Sequence, residues 1–274
     1  MIRAALVQLT SSDDPLANLP ITEGFIRDAA NQGATLIATP EVTNCVSMSR
    51  ARQMDVLRHE ADDPTLARLR EVASELAVTL HIGSLALKTD DPDGRFANRG
   101  FVIAPDGSVQ ACYDKIHMFD VDVDGGYRES KGYRPGSAAI VTEASGAQLG
   151  LSICYDMRFP TLARGLARAG AQILTYPSAF TVPTGRAHWD VLLRARAIET
   201  GCWVLAPAQC GTHPGSGRET WGHSLAVSPW GEVAADGGTE PGVSLVDIDL
   251  EAVVRARNSI PALANERGFD ITTG

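Results

Sequence analysis

Three side chains capable of covalent chemistry stand at the ends of apolar runs. Glu41 closes ATLIATPE (34–41), Lys115 lies just past a hairpin in CYDKIHMFD (112–120), and Cys154 ends QLGLSIC (148–154). A free thiol has a pKa of about 8.5 and is mostly protonated at neutral pH. At a strand-to-helix turn, with a lysine nearby, its thiolate is expected to be stabilised. Tyr155, Asp156 and Arg158 follow at once, a polar neighbourhood that an inert core thiol does not call for. Lys115 is one of three lysines (88, 115, 131) against 21 arginines, and a compact ammonium suits a confined anion. Together the three groups could break a C–N bond. The thiolate attacks an amide carbonyl, and the ammonium and the Tyr155 backbone N–H hold the oxyanion. A carboxylate of raised pKa carries the proton from thiol to leaving amine and later takes one from water. No histidine is needed.

Each residue also has a plain structural reading. Lys115 fits a solvated loop, Glu41 a solvated strand exit, and Cys154 a small buried hydrophobe. The last is the role expected of Cys45, Cys112, Cys202 and Cys210. A cysteine–histidine protease drawing on His117 or His188, and a binding or scaffolding protein without activity, are the competing functional readings.

The elements that must position these groups read as α/β. Strands are expected at 4–9, 34–39, 78–87 and 101–104, then at 148–154, 172–177, 202–209 and 224–227. Helices are expected at 15–32, 64–77, 160–169 and 186–200, with Pro15 and Pro64 in tolerated first turns. The halves echo one another: GATLIATPE (33–41) resembles GAQILTYPS (170–178), and FVIAPDGSV (101–109) resembles LAVSPWGEV (225–233). Two such sheets, each covered by helices on one side, would pack as a four-layer αββα sandwich with an internal pseudo-twofold repeat. No low-complexity linker divides the halves, so one domain over 1–274 is expected.

Composition limits the partners. The chain has 274 residues, 44% hydrophobic and 21% charged, with a net charge of −9. The overall field repels nucleic acid and anionic membrane surfaces. MIRAALVQLT begins a strand pattern rather than a secretory signal, and no apolar run approaches the roughly 20 residues that span a bilayer. Five scattered cysteines without a C-x-x-C pair suit a reducing compartment, so a cytoplasmic location is expected. The six histidines show no metal-ligand spacing, and neither a metal nor another cofactor is called for.

PE (40–41), DKIHMFD (114–120) and CYDMRFP (154–160) resemble the three active-site motifs of the nitrilase superfamily of carbon–nitrogen hydrolases. The resemblance runs from AALVQL to VSLVDIDL. It implies the αββα fold, with Glu41 as general base, Lys115 as oxyanion stabiliser and Cys154 as nucleophile. Glu129, in ESKGYRPG, matches a second glutamate that holds the lysine. The stretches 175–200, APAQCGTH (206–213) and 221–233 look like the amidases that act on deaminated glutathione, yielding 2-oxoglutarate and cysteinylglycine. ω-Amidases of 2-oxoglutaramate and N-carbamoyl amino acid amidohydrolases are the alternatives. Arg158, one turn past the nucleophile, is expected to meet a substrate carboxylate, with Phe180 and Thr184 lining the pocket and His188 and Trp189 serving as wall and packing. The family pairs through helices beside the active site, so a homodimer or larger homo-oligomer is implied, with contacts near 160–169 and 186–200. The tail NERGFDI lacks the aromatic ending of that family, which leaves a C-terminal dimer contact unsupported.

Overall fold

Residues 2–8 (IRAALVQ) are buried at every position but Arg3, the pattern of a strand covered on both faces. The computed structural model, which describes residues 1–122 and 126–274, places this strand inside a sandwich. Strands β1 (Ile2–Gln8), β2 (Leu36–Ala38) and β3 (Thr79–Leu87) run parallel, and β4 (Ala97–Ile103) and β5 (Val109–Asp114) extend the sheet antiparallel. Helix α1 (Pro15–Asn31) fills the first crossover; α2 (Arg50–Val56) and α3 (Pro64–Leu76) fill the second. Asp14 and Asp63 cap α1 and α3 by accepting backbone N–H groups, with Pro15 and Pro64 in the first turns. On the outer face, Ile26 and Ala29 of α1 and Leu69 and Val72 of α3 cover Ala5, Val7, Ile37 and Leu80. Each fully buried side chain of this size contributes about 1.5–3 kcal/mol.

After a small pair, β6 (Asp120–Val121) and β7 (Tyr127–Arg128), the plan repeats. The second half comprises β8 (Ile140–Ala144), β9 (Ala147–Leu151), α4 (Pro160–Arg168), β10 (Ile173–Thr175), α5 (Val182–Thr200) and β11 (Trp203–Ala206). A two-stranded hairpin, β12 (Cys210–Thr212) with β13 (Glu219–Trp221), precedes β14 (Leu225–Val227) and β15 (Val233–Asp236). Strand β16 (Gly242–Ile248) then crosses back to pair antiparallel with β1, and α6 (Leu250–Ser259) and α7 (Ala262–Asn265) follow.

The two sheets, β16-β1-β2-β3-β4-β5 and β8-β9-β10-β11-β14-β15, match strand for strand in order and direction. The repeat extends to detail. Both terminal hairpins carry a register shift at the same point, after Val102 and after Ala226, and both turn on a left-handed glycine, Gly107 (φ 83°) and Gly231 (φ 87°). Between the sheets Ile2, Ala4, Leu6 and Leu36 share a core with Leu149, Leu151 and Ile173, and α4 and α5 cover the far side. The architecture is the αββα sandwich.

Several elements differ from the sequence reading. The strand expected to reach Cys154 stops at Leu151, and the thiol lies in a 3₁₀ turn, Cys154–Arg158, ahead of α4. Helix α5 starts at Val182, four residues early, because Pro183 opens a first turn. Helices α2 and α6 were not anticipated; each is short, with few buried residues to mark a periodicity. Among the described residues no helix is long and apolar enough to cross a membrane.

Candidate active site

The sheets present three loop corners to one another, and each carries one of the reactive groups. Glu41 leaves β2 through Thr39 and Pro40, Lys115 directly follows β5, and Cys154 heads the turn after β9. Two corners are bent against the backbone's preference. Cys154 has φ 49°, and Val42, the residue after Glu41, has φ 47°. For a β-branched residue this is a true outlier, held only because its surroundings over-determine it. The Val42 N–H donates to Ser84 Oγ at 2.8 Å, and the Glu41 carbonyl accepts from Gln209 Nε2 at 3.1 Å. The Cys154 N–H donates to the Pro177 carbonyl at 2.9 Å, which anchors the elbow to the loop after β10.

Lys115, 2% exposed, is the electrostatic centre. Its Nζ lies 2.8 Å from Glu41 Oε1 and 2.9 and 3.0 Å from the two oxygens of Glu129. Asn98 Nδ2 donates to both carboxylates, at 2.9 Å to Glu41 and 3.2 Å to Glu129. The remaining oxygens are held by backbone: Ala179 N–H on Glu41 Oε2 at 2.9 Å, Phe119 N–H on Glu129 Oε2 at 2.7 Å. Burial alone would pull the ammonium down, but Glu129 and Glu41 hold it well above its ordinary value. Burial would push Glu41 up; Lys115 outweighs it, and the carboxyl sits below its usual range. One ammonium between two carboxylates leaves a net negative charge beside the sulfur. Burial and Glu41 together push the Cys154 thiol up to about 12, against the smaller opposing pull of Lys115.

Two electrostatic expectations are therefore corrected. The lysine does not pre-form a thiolate, because its charge is already claimed by two anions. Nor is the Glu41 pKa raised, because the same ammonium stabilises its ionised form. The resting site holds a thiol beside a carboxylate, and the proton can move between them without changing the net charge.

Glu41, Lys115, Glu129 and Cys154 line one cavity. Phe180 and Thr184 line it too. Tyr155 lies beside it in the elbow, and its backbone N–H makes no hydrogen bond among the described residues. Arg158 packs beside the site. Its guanidinium lies 5.4 Å over the Phe180 ring and 3.3 Å from His188 Nδ1, and Phe180 rather than Arg158 lines the cavity. His188 is exposed rather than part of the wall, while Trp189 is buried against Phe180.

Three residues of the site escaped the sequence reading. Asn98 is a polar residue in the buried strand ANRGFVI, and that was its only signal. Asp156, buried, accepts from Tyr113 OH (2.6 Å), His117 N (3.0 Å), His117 Nδ1 (2.7 Å) and Ile153 N (2.9 Å), tying the lysine segment to the cysteine elbow. Arg218, on the β12–β13 hairpin, lines the cavity and reaches the Ala179 carbonyl at 2.7 Å. Nothing in its local sequence separates it from the other arginines.

Comparison with known proteins identifies the family. Residues 3–258 match the model of the carbon-nitrogen hydrolase family. The chain is 38% identical over 270 residues to the deaminated glutathione amidase of Yersinia enterocolitica, covering 96% of this chain and 92% of that protein. It is 38% identical over 267 residues to omega-amidase NIT2 of Homo sapiens, covering 97% and 95%. The crystal structure of the C. elegans NitFhit protein superposes with a TM-score of 0.91 at 35% identity, covering 97% of this chain and 65% of that longer one. The chain thus belongs to the carbon–nitrogen hydrolases of the nitrilase superfamily, and it is a hydrolase of C–N bonds in amides.

Proposed function

We propose that the protein is an amidase for small carboxylated amides that works through a Cys154 thioester, with deaminated glutathione, cleaved to 2-oxoglutarate and cysteinylglycine, as its substrate. The observation that carries the mechanism is the single buried cavity on which thiol, carboxylate and doubly held ammonium converge. Glu41 takes the thiol proton as sulfur attacks the amide carbon. The oxyanion lies between the Lys115 ammonium and the Tyr155 N–H, where fixed donors in a dry site are worth far more than in water. Glu41 returns the proton to the amine nitrogen as the C–N bond breaks, leaving the thioester. A water then attacks, Glu41 takes its proton, and collapse expels sulfur, which recovers that proton from Glu41. Oε2 is the better placed oxygen for these transfers, since Oε1 is already shared by Lys115 and Asn98.

The resemblance of the stretch APAQCGTH (206–213) to the amidases that act on deaminated glutathione supports that substrate over 2-oxoglutaramate. Gln209 is fully buried and props the Glu41 carbonyl and Ser11. His213 is clamped between the Ser11 carbonyl and Thr220 Oγ1, both at 2.8 Å, which fixes the hairpin carrying Arg218. Burial lowers its pKa to about 4, so it serves as a neutral strut. Phe180 and Thr184 form the proposed pocket wall, and Arg158, packed over Phe180, is the proposed partner of a carboxylate on the acyl half of the substrate. The test is a substrate panel: deaminated glutathione, 2-oxoglutaramate and an N-carbamoyl amino acid. Deaminated glutathione should give the highest kcat/KM and a Cys154 acyl adduct by mass spectrometry. Rapid turnover of 2-oxoglutaramate with deaminated glutathione untouched would reject the assignment.

Homodimerisation through α4 and α5 is part of the same reading. Val191 and Ile198 on α5 are 65% and 54% exposed, which favours a covered face. A monomeric mass at micromolar concentration would contradict it.

A further inference from the structure

The active-site cavity does not end at its own wall. Phe119, Tyr127, Thr181 and Arg218 line both it and an adjoining open groove, whose other walls include Met48 and Pro183. Arg218 stands at this junction with its fork barely used. Its bond to the Ala179 carbonyl is the guanidinium's one hydrogen bond among the described residues. The same residue, Ala179, donates its N–H to Glu41 Oε2. Arg218 is thereby fixed one residue away from the oxygen that must hand a proton to the departing nitrogen. In the mechanism proposed above, a substituent on that nitrogen would leave from the Oε2 side, past Arg218, toward the groove.

We propose that this groove is a subsite for the leaving amine of N-substituted amides, with Arg218 at its threshold pairing with a carboxylate carried by that amine. The assignment rests on the amidase reading above and extends it: the substrate class is a secondary amide whose amine half is an amino acid or short peptide. The groove's lining suits such a group. Phe119, Tyr127, Met48 and Pro183 offer apolar walls to a side chain, and a guanidinium fork matches a carboxylate in bidentate geometry. A primary amide, releasing only ammonia, would leave the groove unused.

The test compares two amides of one acyl group, 2-oxoglutaramate and its N-linked cysteinylglycine counterpart, in wild type, Arg218→Gln, Arg218→Lys and Met48→Trp. Wild type should prefer the N-linked amide. The ratio of the two kcat/KM values should fall by about tenfold or more in Arg218→Gln, less in Arg218→Lys, and also in Met48→Trp, which narrows the groove at an exposed position. A preference that survives all three substitutions overturns the proposal. So does an equal loss on both amides in Arg218→Gln, which would assign the arginine to the acyl half. If neither 2-oxoglutaryl amide is hydrolysed, the substrate assignment fails. The same primary and N-linked pair, built on whichever acyl group is accepted, then decides the groove by the same ratio.

Discussion

Gly83 and Pro177 approach so closely that a Cβ on the glycine would lie 2.4 Å from the Pro177 Cβ. The same Cβ would lie 2.1 Å from the Thr39 carbonyl and 2.7 Å from that of Pro40. One missing methyl thus lets the loop that carries Glu41 meet the loop that holds the Cys154 N–H. Gly83→Ala should push both loops outward. The expected cost is about 1–3 kcal/mol of stability from overpacking, with turnover reduced on the order of a hundredfold by the misplaced groups. Urea denaturation and steady-state kinetics check both, and a variant of wild-type activity would show the loops to be independent.

Glu129→Gln separates turnover from thiol reactivity. Its amide oxygen can still accept the Phe119 N–H, but Lys115 loses one of its two anions. Amidase kcat should fall on the order of a hundredfold as the oxyanion donor is released from its position. The thiol should move the other way. Glu129 is one of the charges that raise the Cys154 pKa, so removing it should speed alkylation by iodoacetamide at fixed pH. The exposed Cys112 must be replaced first so that labelling reports the site. Slower alkylation in the variant would contradict the charge argument.

Asp156→Asn sets an amide against four donors. At least one N–H or O–H is left facing an NH₂, a loss of about 1–3 kcal/mol for a buried unsatisfied group. Because Asp156 joins the segment after Lys115 to the turn after Cys154, kcat should drop more than KM rises. Thermal unfolding and kinetics together test this; a purely thermal effect with unchanged kcat would reduce Asp156 to a structural support.

Acid should weaken the fold through its buried imidazoles. Burial lowers the His81 pKa to about 4, and its Nδ1 has no hydrogen-bond partner. Unfolded, the ring titrates at about 6.5. The unfolded state therefore binds more protons between these values. Stability from this residue is complete above the unfolded pKa and is lost as pH falls toward the folded one. The loss at pH 5 is on the order of 2 kcal/mol. His81→Leu should flatten the decline in urea midpoint between about pH 7 and pH 5. An unchanged slope would place the acid sensitivity elsewhere, His213 being the next candidate with a similar shift.

Much of this was legible in the sequence because the informative signals were local. Pro15 and Pro64 mark two helix starts, and the paired strings at 33–41 and 170–178 fall on the equivalent strands β2 and β10. Glu41, Lys115 and Cys154 stood out as reactive groups at element ends. What stayed hidden was relational. Asn98 and Asp156 matter through partners between 31 and 57 positions away, and no spacing rule announces such pairs. The electrostatic reading failed for the same reason: the pull of Lys115 on the thiol is outweighed by burial and by Glu41, which lies 113 residues away in the chain. Arg158 drew attention by lying near Cys154 in the chain, whereas Arg218, 64 residues from it, is the arginine on the cavity wall.

The repeat described above is symmetric in backbone but not in chemistry. At the site of Glu41 in the first loop, the second loop has Ser178, whose hydroxyl merely turns back on the Tyr176 carbonyl. Only one of two mirrored corners is armed, and its parts are divided between opposite layers. Neither layer owns a working centre. Any force, solvent or mutation that slides one past the other should silence hydrolysis while every helix is still intact.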